Sequence, residues 1–336
     1  MRNTRFQNKV ATRGSSFPIV IIITALIWYV SILLTGDYKA VYSPFIENIL
    51  EMVWPKGNVW VEGGIGLLFS VLTAYTILEL HNTFSLIRIR STMVGVVFLW
   101  CMGCCSFLHV MQPGIFLQLC FVALLFSLFA SYQQIEPVKQ ICFAFFFCGL
   151  GSLFSPKFIY LVPLLLLGMI QFQSFTIRTF FAGVIGLVIP YSFWAVFLLY
   201  SQNFDLMTNQ LTEWTSFSPI DYSLLSIDQI AAFCLLTLIT IFSAGHFMAN
   251  SFQDKIRIRS YFSFLFIADL AVGTSIILQP SMFNELFSVY LVINSITGAH
   301  LFALTNSKVT NLFFIVCIVL SILIAIVPIW MPFINF

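Results

Sequence analysis

Charge is what this sequence has least of. Asp, Glu, Lys and Arg make up 8% of it against 60% apolar residues, and the mean hydropathy is +0.99. A water-soluble domain carries about a quarter charged residues, so the solvent this sequence is written for is lipid. Motifs of soluble chemistry are missing too. There is no Walker-type phosphate loop, no Gly-x-Gly-x-x-Gly, no His-Glu-x-x-His and no Gly-x-Ser-x-Gly, which excludes nucleotide hydrolysis and zinc proteolysis by those devices. Basic residues form no nucleic-acid face beyond arginines at helix ends. Cys101-Met-Gly-Cys104 has a metal-ligand spacing, but no second Cys or His pair completes four ligands. The eight cysteines all fall in apolar stretches, which argues against disulfides.

What is present is a series of apolar stretches from Phe17 to Phe336, leaving no room for a separate soluble domain. The whole chain, 1–336, reads as one all-α integral membrane domain. A spanning helix needs about 20 apolar residues, and on that measure the sequence holds about eleven spans, nine to twelve being allowed. They cover 17–35, 63–80, 92–111, 114–131, 140–154, 158–172, 179–200, 227–247, 260–279, 283–304 and 310–333. The fifth and sixth are short and either cross fully or form a re-entrant hairpin. Phe17–Thr35 is too long for a cleavable signal and reads as a retained first helix.

Sidedness follows from the basic residues, which stay in the cytoplasm when loops are short. With residues 1–16 inside and the spans alternating, all fifteen Lys and Arg except Lys39, Lys56 and Lys157 lie on the cytoplasmic side. The outer loops receive Asp37, Glu47, Glu51, Glu62, Asp205, Glu213, Asp221, Asp228 and Glu285. Ile-Arg-Ile-Arg-Ser occurs at 87–91 and again at 256–260, each time before a helix running outward. Arginine anchoring at the headgroups accounts for both.

Two outer loops are long enough to hold a site. In 36–62, apolar residues at 45, 46, 49, 50 and 53 alternate helically with Glu47 and Glu51, predicting a helix lying in the interface. The loop 201–226 combines Asp205, Glu213, Trp214 and Asp221, an acid-plus-aromatic composition suited to sugars. Within the spans, Asp269 stands near the middle of the ninth. A carboxyl there is costly in lipid and marks a functional candidate, with Asn294 and His300 as available partners.

Residues 63–200 resemble the membrane core of polytopic glycosyltransferases that use lipid-carrier-linked sugars, the GT-C class. The resemblance lies in Pro113–Ser131, in Gly149-Leu150-Gly151-Ser152-Leu153-Phe154-Ser155-Pro156-Lys157, similar to the family's Gly-Leu-x-x-Leu-Thr-Lys-x-Pro, and in Leu161–Leu164, Arg178 and Gly183–Pro190. It implies a GT-C-like core, a polyprenyl-phosphate-linked sugar as substrate at the outer face, and Asp37 as base or as ligand of a divalent cation. Lys157 would meet the phosphate. Gly36-Asp37-Tyr38-Lys39 lacks the paired acids of many members, and the family's soluble domain is absent. The 39 phenylalanines also resemble polytopic inner-membrane proteins of bacteria, which implies that location. Three functions are therefore open: glycosyl transfer, a non-catalytic subunit docking other cell-envelope proteins through its outer loops, and a transporter or lipid flippase with Asp269 as coupling group.

Overall fold

The computed structural model describes residues 6–35, 59–89, 91–109, 111–201, 212, 214 and 219–334. Among the described residues there are twelve α-helices and no strand. They are α1 (Phe6–Thr12), α2 (Ser16–Thr35), α3 (Val59–Phe84), α4 (Met93–Cys104), α5 (Pro113–Ala130), α6 (Val138–Phe154), α7 (Val162–Gln171), α8 (Ile177–Ser201), α9 (Ile227–Asn250), α10 (Ile256–Leu278), α11 (Phe283–Leu304) and α12 (Lys308–Ile334). Each apolar stretch expected from the sequence overlaps one α-helix from α2 to α12, although 92–111 and 158–172 each also include a 3-10 segment. Eight are long and apolar enough to cross a membrane; α4, α6 and the segment Pro156–Gln171 are shorter. This is a multi-pass, all-α membrane protein. The interfacial helix expected in 36–62 falls mostly outside the described residues, and only the start of α3 is seen there.

Two details were not legible. Residues 6–12 form a short helix, α1, where the sequence reads only as a basic terminus. The stretch 92–111 is not one helix: α4 stops at Cys104 and a 3-10 turn covers Ser106–Leu108. Twelve helical residues reach about 18 Å, well short of the about 30 Å hydrocarbon core. The break turns His109 onto Trp28, with ring centroids 4.2 Å apart, and puts its Nε2 3.2 Å from the Met102 carbonyl.

The chain divides into two compact units, the first carrying α1–α4 and α9–α12, the second α5–α8. The first is organised around α11. Every residue from Phe287 to Ala303 is buried, with α4, α9 and α10 packed against α11. The N-terminal α1 is bolted to this assembly by Gln7. Its buried amide donates to the carbonyls of Phe302 (2.6 Å) and Thr305 (3.1 Å) and to Thr305 Oγ1 (2.8 Å). The last turn of a helix leaves carbonyls without intrahelical donors, and here one glutamine supplies them.

The second unit is held by small residues, as expected where lipid removes any hydrophobic drive between helices. A Cβ on Gly186 of α8 would collide with the Cys142 carbonyl of α6, and one on Gly149 of α6 would lie 2.7 Å from the Leu187 carbonyl of α8. Gly183 faces the Phe145 ring, and Gly151 faces Phe158. Gly186→Ala is therefore expected to destabilise by about 1–3 kcal/mol through overpacking, seen as a lower Tm of the purified protein. Gly64→Ala, with nothing within 4 Å of the new carbon, should leave Tm unchanged or raise it through better helix propensity.

Candidate functional site

The polar residues of α9 and α11 meet in register. Thr237 Oγ1 lies 3.1 Å from Tyr290 OH, Thr240 Oγ1 donates to Asn294 Oδ1 at 2.6 Å, and Ser243 Oγ donates to the Thr297 carbonyl at 2.6 Å. His246 follows, its ring centroid 6.1 Å from that of His300. Partners advance together by three or four residues, so α9 and α11 run side by side in the same direction, each presenting a polar stripe at helical spacing. At the other end Gln229 Nε2 donates to Asn284 Oδ1 at 2.7 Å. From Gln229 to His246 the seam rises about 25 Å at 1.5 Å per residue, close to the thickness of the hydrocarbon core.

Asp269 of α10 joins this seam halfway. It is 3% exposed, and its Oδ1 accepts from Asn294 Nδ2 at 2.7 Å. The Asn294 amide is thus used on both sides, its oxygen taking the Thr240 hydroxyl while its nitrogen serves the carboxyl. Asn294, named from sequence as an available partner, makes the contact. His300 does not: it lies six residues further along α11 and approaches Asp254 instead.

Asp254, between α9 and α10, is buried and makes the seam's charged end. Arg88 Nε stands 2.8 Å from its Oδ1, and His300 Nε2 stands 3.4 Å from its Oδ2. Both contacts are within ion-pair reach, but neither carboxylate oxygen has a well-aligned hydrogen bond among the described residues. Arg88 Nη1 also donates to Gln253 Oε1 at 2.8 Å. Burial pushes the Asp254 carboxyl above the ordinary carboxylate range, opposed by the positive charges of Arg88, His246 and Arg259. The Nδ1 atoms of His246 and His300 are buried with no hydrogen-bond partner among the described residues. Buried polar atoms of this kind are where internal water is normally held.

Between the Gln229–Asn284 pair and the Thr237–Tyr290 pair the polar stripe is interrupted by aromatic rings. Phe283 and Phe287 stack at 5.1 Å, Phe107 meets Phe287 edge-on at 5.4 Å, and Phe233 lies 5.4 Å from Tyr290. The seam therefore has a polar, charged half and an aromatic-closed half, with Asp269 on the polar side of the closure.

Asp37, Glu47, Glu51 and Glu213 lie outside the described residues. Lys157 is buried in the 3-10 segment Pro156–Leu161. Trp214 accepts the Tyr160 hydroxyl on its carbonyl and lies edge-on to Tyr191 at 5.5 Å. Tyr191 in turn bonds Ser152. Asp221 is exposed and closes a turn by accepting from Ser223 N (2.9 Å) and Oγ (2.7 Å). Those two bonds hold its carboxyl below the usual range. Sequence reasoning missed Arg88, His246 and Asp254 as site residues. The signal available was the stripe Thr237, Thr240, Ser243, His246 and its counterpart Tyr290, Asn294, Thr297, His300, two polar rows in otherwise apolar helices.

Comparison with family models, curated proteins and solved structures finds no match to this chain.

Two outcomes test the site's energetics. Asn294→Leu leaves the buried Asp269 carboxyl without its amide donor and should destabilise by about 1–3 kcal/mol in thermal unfolding. Asp269→Leu combined with Asn294→Leu should recover part of that loss. For Asp254 the sign follows from its raised pKa. The protonated form is favoured by folding, so its stabilising contribution is complete below the unfolded value of about 3.9 and fades as pH rises through the folded value. The Tm difference between wild type and Asp254→Asn should therefore shift against the wild type as pH climbs from that point.

Proposed function

We propose that this chain is a proton-coupled membrane transporter in which the α9/α11 seam carries protons and Asp269 is the coupling carboxylate. One observation carries the reading: two polar rows that face each other from Thr237 and Tyr290 to His246 and His300, with a buried carboxyl bonded into them and a further polar pair, Gln229 and Asn284, beyond an aromatic break. Protons enter at the charged end through Asp254, His300 and His246, and pass by the Ser243 and Thr240 hydroxyls and intervening water to Asp269, whose carboxyl the Asn294 amide holds in place without carrying a proton. Hydroxyls and imidazoles spaced one helical turn apart, with water between them, form the usual material of such relays. The aromatic cluster of Phe283, Phe287, Phe107 and Phe233 closes the opposite end. A protein that opens to one face at a time requires one closed end, and the coupled solute or lipid is admitted when that closure parts.

Glycosyl transfer is less well supported by the described residues. Its proposed base, Asp37, lies outside them, and Asp221 is engaged in a turn.

Reconstitution tests the proposal. In proteoliposomes with an entrapped pH-sensitive dye and a clamped membrane potential, the wild type should dissipate an imposed pH gradient faster than protein-free vesicles. Asp269→Asn, which can still accept from Asn294, should return the rate to that of empty vesicles while eluting as the same species on gel filtration. A wild type equal to empty vesicles, or an Asp269→Asn protein as fast as wild type, overturns the reading.

A further inference from the structure

A second feature of the first unit has no part in the seam. A groove of about 380 Å³ is lined by residues of α1, α2, α4, α9, α11 and α12. Its walls are apolar: Ile19 and Ile23 of α2, Val97 of α4, Ile239 of α9, Phe302 of α11 and Phe314 of α12 face into it. At one end stand Lys9 and Arg13, both exposed, and no carboxylate is among the lining residues. The Arg13 amide bonds the Lys9 carbonyl at 3.3 Å, so the two cations follow one helical turn and lie on the same side of it.

Depth and charge together select the occupant. Counting along α2 from Ser16 to Ile23, or along α12 from Phe314 to Ser321, the lined stretch is about 10 Å long, within the about 15 Å that one leaflet contributes to the hydrocarbon core. A groove of that length, running from the cationic end, is accommodated within a single leaflet. Its floor is closed by Trp100, whose Nε1 donates to Ser321 Oγ at 2.7 Å. The cationic end is also built. Gln7, two residues before Lys9 and so on the opposite side of α1, is buried and fastened to α11 by its amide, and Ser91 Oγ donates to the Ala11 carbonyl at 2.6 Å. α1 is therefore a fixed lintel over the groove rather than a loose basic tail. A slot with apolar walls about 10 Å long, beside two cations at an anchored helix and with no carboxylate among its lining residues, complements a molecule with an acyl chain and a net negative headgroup.

We infer that this groove is a specific site for an anionic glycerophospholipid, its chain between α2, α4 and α12 and its phosphate between Lys9 and Arg13. The site stands whether or not the seam transports protons. It differs from the general annulus of lipid in its headgroup preference, since a merely apolar groove takes any acyl chain.

Native mass spectrometry of the full-length protein, titrated with phosphatidylglycerol or phosphatidylcholine of matched chains, tests it. The wild type should retain one phosphatidylglycerol at collision energies that strip phosphatidylcholine. Lys9→Ala combined with Arg13→Ala should lower that preference by about tenfold, each cation contributing to the headgroup's attraction. Lys9→Arg, which keeps the charge, should preserve it and thereby separates loss of charge from loss of fold. Equal retention of the two lipids by the wild type, or an unchanged preference in the double variant, overturns the inference.

Discussion

A polar side chain inside a membrane protein must find its partner within the protein, because hydrocarbon offers none. α11 is where that constraint bears hardest. It is buried along nearly all its length and still carries Asn284, Ser288, Tyr290, Asn294, Ser295, Thr297 and His300. The rest of the first unit is arranged to answer it. α9 matches the stripe residue by residue, α10 contributes Asp269, and the turn after α9 brings Asp254 to His300. Even the terminal carbonyls of α11 are served, by Gln7. Polar pairs of this kind are each worth only about 0.6–2 kcal/mol in membranes. Their number fixes the register of α9 against α11 more firmly than apolar packing would.

The two units solve the problem of helix association differently. In the second, glycines let α6 and α8 approach until backbone meets backbone, and dispersion does the holding. In the first, hydrogen bonds span the gap, which leaves side chains that can exchange protons. That contrast is why the functional reading rests on the first unit. A seam of hydroxyls, three amides, two carboxyls and two imidazoles is more than is needed to align two helices, and its charged end and aromatic end make it directional.

Much of the fold was legible in the sequence because hydropathy is a local signal: a run of apolar residues reports a span without reference to the rest of the chain. The shortness of α6 and of Pro156–Gln171 was legible for the same reason. The break at Cys105 was not, since it serves the stacking of His109 on Trp28, some 80 residues away in sequence. The site was legible in part. Asp269 announced itself as a carboxyl in an apolar run, and Asn294 stood at a fitting depth. Asp254 stands beside Lys255 between two apolar runs with nothing local to mark it, and only the packing of α9, α10 and α11 shows it buried against His300 and Arg88. Register between helices some 55 residues apart is long-range information, which a single sequence carries only as two polar stripes that must first be suspected of facing each other.

The most direct measurement of the central claim is water access along the seam. On a background with the eight native cysteines replaced, Ser243→Cys would be compared with Ile241→Cys, which lies on the exposed face of α9 at 66% exposure. Both would be treated in intact membranes with a charged, water-soluble thiol reagent. A proton-carrying seam predicts that the cysteine at 243 is modified although its site is fully buried in the structure, while the one at 241, facing lipid, is not. If the cysteine at 243 stays unmodified under every condition in which the protein is folded, the seam is dry packing and the account is wrong.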